Sequence, residues 1–272
     1  MVNDSKFLTV SEVCEDVHVI DELHRVNLWL IEGEDRALLF DTGFGFIDFE
    51  RLLPELTSKP VIVLNSHIHP DHSLGNNQFD EIYCGKYDEP RAHDIITEED
   101  KLKIYDDFFA KRTEEDPYTT GWKPGPCRKI ICLRDHQKID LGGNEIEVLE
   151  TPGHTLGSVS LLDRKHRLLF SGDMILTWQV WGQLRESSSL SVYLDSLKKM
   201  DAYSSEYDYL APGHTTAGTE YLLSNRLPAV YVEGVQNILD KKVEGKPEKT
   251  FLGDGLCTLF QVGGMVYDPE RL

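Results

Sequence analysis

The chain has 272 residues, 40% hydrophobic and 28% charged, a balance ordinary for a globular protein and enough for a sizeable core. Lysine and arginine number 28 against 47 aspartates and glutamates, and the resulting net charge of −19 repels phosphate backbones and anionic membrane surfaces, which argues against nucleic-acid or membrane partners. No apolar run approaches the roughly 20 residues of a membrane span, no basic-then-apolar leader follows Met1, and the five scattered cysteines (Cys14, Cys84, Cys127, Cys132, Cys257) match no redox or metal pattern.

A cytoplasmic location is therefore the expectation, with a small molecule as partner and a homo-oligomer left open. The first forty residues read as short strands: Val17 to Ile20, Val26 to Ile31 and Ala37 to Phe40, the last two joined by a hairpin turn at Glu32 to Asp35. Asp41-Thr42-Gly43 then places a carboxylate at a strand end. A helix is predicted over Ile47 to Leu56, with Ile47, Leu52, Leu53 and Leu56 on one face. Pro60 opens the buried strand Val61-Ile62-Val63-Leu64. Leu74 to Phe79 reads as a short helical turn and Glu81 to Gly85 as a strand. Residues 87–116 are charged and helical in character and Pro117 to Pro126 reads as loop; 87–128 together are expected to form an insertion over the site, with Tyr105, Phe108, Phe109 and Trp122 within it.

The second half repeats this grammar. Gln137 to Leu141 and Glu145 to Leu149 flank Gly142-Gly143-Asn144, and Val159 to Asp163 precedes Arg167 to Ser171, giving two hairpins. A helix is predicted over Ser189 to Met200, a strand over Tyr207 to Ala211, and a long helix over Thr216 to Lys242, broken near Pro228. Strands around Phe251, Leu256 to Val262 and Met265 to Tyr267 close the chain. Hairpins mixed with crossovers favour an α/β fold of two mixed β-sheets packed face to face, with helices on both outer sides, in one domain over residues 1–272. No glycine-rich dinucleotide or phosphate loop is present.

The chemistry concentrates at His67-Ile68-His69-Pro70-Asp71-His72, directly after the Val61–Leu64 strand. Three imidazoles and a carboxylate together are costly in a packed core, because each loses hydration on burial and needs a partner. A divalent metal ion satisfies all of them at once. Three later turns follow strands in the same way: Gly153-His154-Thr155, Ser171-Gly172-Asp173 and Gly213-His214-Thr215. His18, His24, His93, His136 and His166 fit no such turn and are read as non-ligands.

Asp41-Thr42-Gly43, the His67 to His72 cluster, Gly153-His154-Thr155, Ser171-Gly172-Asp173 and Gly213-His214 resemble the five ordered motifs of the metallo-β-lactamase superfamily. The resemblance covers about residues 25–215 and implies a four-layer αββα sandwich with a dinuclear metal centre on the shared sheet edge. It implies that His67, His69 and His154 hold one ion and Asp71, His72 and His214 the other, that Asp173 bridges both, and that Asp41 orients a ligand from behind. The ions implied are two divalent cations, with zinc favoured by the donor set and manganese or iron accommodated. Such a pair lowers the pKa of a shared water to around 7. The implied enzyme is a hydrolase, in which Asp71 and Asp173 serve the reaction.

The branch is narrowed by departures. The bridging position holds Asp173 rather than the cysteine of the best-known zinc β-lactamases, and the acidic surface is unlike that of the superfamily's nucleases. Glyoxalase II and lactonase enzymes are similar at every ligand position. The segment Met174 to Gly182, however, lacks the glutathione grip of the former, and Leu176 stands where the latter often have tyrosine. Trp178, Trp181 and Arg185 are the candidate substrate contacts, an apolar wall with one cation that suits a small ester, thioester or lactone. The alternatives are a phosphodiesterase, a mononuclear-iron sulfur dioxygenase of the same fold, and a non-catalytic metal-binding protein.

Overall fold

The apolar runs near the N-terminus are buried on both faces, and the computed structural model, which describes residues 7–92, 129–215, 220–250 and 252–272, shows why. Strands β1 (Leu8–Cys14), β2 (Val17–Glu22), β3 (Val26–Glu32) and β4 (Ala37–Phe40) form an antiparallel meander. Strands β5 (Val61–Leu64), β6 (Ile82–Cys84) and β7 (Ile130–Cys132) extend it in parallel, giving seven strands in sequence order. Alternate residues go to opposite sides. Leu28, Leu30, Ala37 and Leu39 face an outer core with helix α1 (Phe49–Leu56), whereas Trp29, Ile31, Leu38 and Phe40 face inward.

The second sheet runs β14-β13-β11-β10-β9-β8, built from β8 (Lys138–Asp140), β9 (Glu145–Glu150), β10 (Val159–Asp163), β11 (Leu168–Gly172), β13 (Tyr209–Pro212) and β14 (Leu223–Ser224). Its Val148, Leu161, Leu168 and Phe170 meet the inward residues of the first sheet. Phe170 lies edge-on to both Trp29 and Phe40, with ring centroids 5.5 and 6.3 Å away. Leu162 and Leu169 point the other way, into a core shared with helices α4 (Leu190–Ala202) and α5 (Leu227–Leu239). Helix, sheet, sheet and helix make the four layers expected. Two short helices, α2 (Pro70–Ser73) and α3 (Glu89–Ala92), lie in connections of the first half.

Several expectations shift. Asp48 accepts a hydrogen bond from the Arg51 backbone N–H and so begins α1 at Phe49 rather than Ile47. The long helix expected from Thr216 starts only at Leu227. Pro228 occupies its first turn, where a missing N–H costs nothing, so the proline opens the helix instead of breaking it. Upstream, Leu223 and Ser224 pair antiparallel with β13, and residues 216–219 lie outside the described residues.

A third sheet was not foreseen. Strand β12 (Gln179–Gly182), read as loop, pairs in parallel with β17 (Gly264–Tyr267), and β16 (Gly253–Leu259) and β15 (Lys246–Thr250) complete four strands. The β12–β17 pairing joins distant stretches and leaves no local pattern, whereas β16 and β17 overlap the strands expected over Leu256 to Val262 and Met265 to Tyr267. Within the predicted insertion only its first residues are described, including α3; His93, Tyr105, Phe108, Phe109 and Trp122 lie outside. No helix among the described residues is long and apolar enough to cross a membrane.

Candidate metal centre

Every turn singled out by the sequence falls at the C-terminal end of a strand: Asp41 after β4, His67 to His72 after β5, His154 after β9, Asp173 after β11 and His214 after β13. Since β4 and β5 are parallel, as are β11 and β13, those ends share one edge of the sandwich. Hydrogen bonds between the sheets draw the turns together. The Val159 N–H donates to the Ser66 carbonyl (2.9 Å), the Asn27 N–H to the Gly213 carbonyl (2.7 Å) and the Trp29 indole N–H to the Pro212 carbonyl (3.1 Å). Gly172 and Gly213 are fitted to this crowding. A Cβ on Gly172, at φ +50°, would stand 2.7 Å from Ser66 Cβ, and one on Gly213 would meet Asp173 Oδ1 and lie 2.8 Å from His72 Cε1.

The structure brings all seven residues of the expected ligand set together, in overlapping groups of donor atoms: His67, His69 and His154; His67, His72 and Asp173; and Asp71, His72 and His214. His69 Nδ1 lies 3.0 Å from His67 Nε2 and 2.9 Å from His154 Nε2. His72 Nε2 lies 3.2 Å from His214 Nε2. Asp173 stands between the groups, its Oδ2 3.1 Å from His214 Nε2 and 3.7 Å from His154 Nε2, its Oδ1 3.5 Å from His72 Nε2. Asp71 Oδ2 is 3.3 Å from His214 Nε2.

The nitrogen that each imidazole turns away from this centre is bound elsewhere. His72 Nδ1 donates to Asp41 Oδ2 (2.8 Å), and His67 Nδ1 to Ser66 Oγ (2.9 Å), whose hydroxyl donates in turn to Asp41 Oδ2 (2.8 Å). His154 Nδ1 donates to the Trp181 carbonyl (2.8 Å), His214 Nδ1 to the Arg25 carbonyl, and His69 Nε2 to Glu186 Oε1 (2.9 Å). With each outer nitrogen a donor, the inner nitrogen of a neutral ring is a lone pair. Three lone pairs meet at about 3 Å around His69, an arrangement that a cation relieves. Asp173 Oδ1 is a buried oxygen with no hydrogen-bond partner among the described residues, which fits the same reading.

Electrostatics divide the centre. Burial, reinforced by neighbouring imidazoles, holds His67 well below the ordinary histidine range and lowers His154 to about 4. Burial acts in the same direction on His214, but Asp173 and Asp71 outweigh it and push that group up to about 10; His72 is raised likewise by Asp173, Asp71 and Asp41. Burial would raise Asp71 and Asp173, yet His72 and His214 hold both carboxylates below their usual range. His67 and His154 are thus neutral donors, whereas the other half pairs carboxylates with groups that demand positive charge. Divalent cations suit both.

Among the candidate substrate contacts, Trp178 stands at the mouth, 38% exposed, its ring centroid 6.0 Å from that of His214. The Trp181 carbonyl accepts from His154 Nδ1 (2.8 Å). Arg185 is exposed, and it is its neighbour Glu186 that reaches the histidines.

Two residues escaped the sequence reading, Glu186 and Asp88. Asp88 Oδ2 accepts from the Ile68 N–H (3.1 Å) and the Thr155 hydroxyl (2.9 Å), and Oδ1 from the Gly157 N–H (3.1 Å), so one buried carboxylate ties the His67–His69 turn to the His154 turn. Neither residue belongs to a motif, and only folding brings them to the turns. Asp88→Ala should cost about 1–3 kcal/mol by stranding these donors. Urea denaturation would measure it, and a change within a few tenths would remove the bracing role.

A helix-clad double sheet with a buried cluster of histidines and aspartates on its shared edge is the layout of a metal-binding hydrolase. The chain belongs to the metallo-beta-lactamase superfamily, whose sequence profile matches residues 22–214. Acyl-coenzyme A thioesterase MBLAC2 from Homo sapiens is 27% identical over 233 residues, covering 77% of this chain and 79% of that protein. The protein of the same name from Gallus gallus is 28% identical over 170 residues, covering 56% of this chain and 58% of its own length. A metallo-beta-lactamase from Pontibacter korlensis superposes with a TM-score of 0.59 at 16% identity, over 85% of this chain and 99% of that one, which supports the fold.

Proposed function

We propose that this protein is a thioesterase that hydrolyses acyl-coenzyme A or a similar small thioester at a dinuclear centre, with zinc as the favoured metal. The observation that carries the reading is the meeting of two donor groups, His67/His69/His154 and Asp71/His72/His214, at Asp173. Similarity to relatives named acyl-coenzyme A thioesterase supports the substrate class. In this reading His67, His69 and His154 would hold one ion and Asp71, His72 and His214 the other, with Asp173 lying between the two groups. The ions would supply Lewis acidity that eases deprotonation of water and polarises the thioester carbonyl.

The chain's own residues do the rest. Asp41 fixes His72 directly and His67 through Ser66, so that both rings keep Nε2 toward the centre. Asp71, whose side chain is 25% exposed, can accept a hydrogen bond from water. The ring of Trp178 offers an apolar face beside His214 for the acyl group, and Arg185 a cation for an anionic leaving portion.

The test is a panel of acyl-coenzyme A esters, lactones and phosphodiesters assayed with Zn²⁺, Mn²⁺ or Fe²⁺ added to metal-free protein. Thioester cleavage should dominate and should be lost in His69→Ala. A preference for phosphodiesters, or oxygen uptake with one bound iron, would overturn the proposal.

A further inference from the structure

Glu186 sits outside every motif, yet its Oε1 accepts the proton of His69 Nε2 at 2.9 Å and also lies 2.9 Å from Arg91 Nη1. It is carried by the segment from Gln183 to Ser188, which runs beside the His154 turn. The Leu156 N–H donates to the Glu186 carbonyl (2.9 Å), the Ser187 hydroxyl to the His154 carbonyl (2.8 Å) and the Ser188 N–H to the Gly153 carbonyl (2.9 Å). The guanidinium of Arg271, near the C-terminal end of the sequence, donates to the carbonyls of Gln183 (2.8 Å), Leu184 (2.7 Å) and Ser187 (2.8 Å). Three backbone carbonyls held by one side chain make the segment a strap rather than a free loop.

We propose that Glu186, presented by the strap that Arg271 locks, is a positioning residue that sets His69 with Nδ1 toward the centre and thereby tunes metal affinity at the His67/His69/His154 group alone. His69 is the ring that turns Nδ1 inward, whereas His67, His72, His154 and His214 turn Nε2 inward. An imidazole offers whichever nitrogen its other hydrogen bond leaves free. Without the carboxylate, His69 loses the acceptor that selects this orientation. The strap reaches His69 and His154 but no residue of the Asp71/His72/His214 group through the hydrogen bonds described, so the effect is confined to one half. The Arg91 contact, with that side chain 42% exposed, is a solvated ion pair and contributes little.

The inference rests on the metal-centre reading, and its test separates the two. Full-length protein is stripped with a chelator, dialysed and titrated with Zn²⁺ in competition with a chromophoric chelator. In a His214→Ala background, which keeps the His67/His69/His154 group whole, Glu186→Ala should weaken Zn²⁺ binding by roughly 10- to 100-fold. In a His69→Ala background it should change nothing. Glu186→Gln, which keeps an oxygen to accept from Nε2, should recover most of the loss, and Arg271→Ala should give a smaller loss in the first background only. Glu186 is 24% exposed at its side chain, so the Glu186 variants should melt close to their parents. Unchanged affinity in the first background, or equal loss in both, overturns the role of Glu186 and leaves the metal centre standing. A wild-type protein that takes up no Zn²⁺ overturns both.

Discussion

Replacing Asp173 by asparagine should lower kcat/KM for the thioester by roughly 10³-fold, about 4 kcal/mol of transition-state stabilisation. The side chain is 9% exposed and lies between the two donor groups, within 3.1 Å of His214 Nε2, 3.5 Å of His72 Nε2 and 3.7 Å of His154 Nε2. Asparagine keeps its shape, so packing against Gly213 survives, but the amide removes the charge facing His72 and His214 and puts N–H groups where a carboxylate oxygen would meet a metal ion. The amount of tightly held metal per chain should fall in the same variant. Steady-state kinetics with metal analysis on one preparation checks both. Activity within tenfold of wild type, with metal content unchanged, would show that Asp173 is not where the two halves meet.

Metal removal should be the largest single perturbation of stability. Any ion that binds only the folded chain stabilises it by RT ln(1 + [L]/Kd), about 4 kcal/mol when free metal stands 1,000-fold above Kd. For a chain of this size that is on the order of 10 °C in melting temperature. The physical source is local: His67 and His154 each bring a lone pair to about 3 Å from His69, and the carboxylates of Asp71 and Asp173 pack against His72 and His214. Calorimetry of chelated and Zn²⁺-loaded protein should show the shift, and Asp173→Asn should show a smaller one. Identical melting curves with and without Zn²⁺ would remove the metal from the account.

Much of the fold was legible because it is written at short range. The strands from Val17 to Phe40 alternate between two buried faces, the Glu32 to Asp35 and Gly142 to Asn144 turns mark their hairpins, and Ser189 caps the helix at Leu190. The His67 to His72 spacing declared a metal site before any tertiary contact was known, since those groups have few other uses together. The third sheet was legible only in its last two strands, β16 and β17. β12 finds β17 only across a long stretch of chain, and the exposed, apolar-poor β15 carries no strand signature.

The site divides along the same physical line. Which side chains are donors follows from residue type and order along the chain: His67, His69, Asp71, His72, His154, Asp173 and His214 were all named from local turns, and Asp41 with them. Which nitrogen His69, His72, His154 and His214 present, and what holds it there, depends on groups far off in sequence that folding alone brings close, whereas His67 is held by its neighbour Ser66. Trp181 and Arg25 offer carbonyls that any residue would have, so no sequence pattern marks them. Glu186 and Asp88 act across gaps that only folding closes, and Arg271 reaches the strap because β12 and β17 pair side by side. Donor chemistry is a property of the residue and can be read in one dimension; orientation is a property of its neighbours and exists only once the strand ends share an edge.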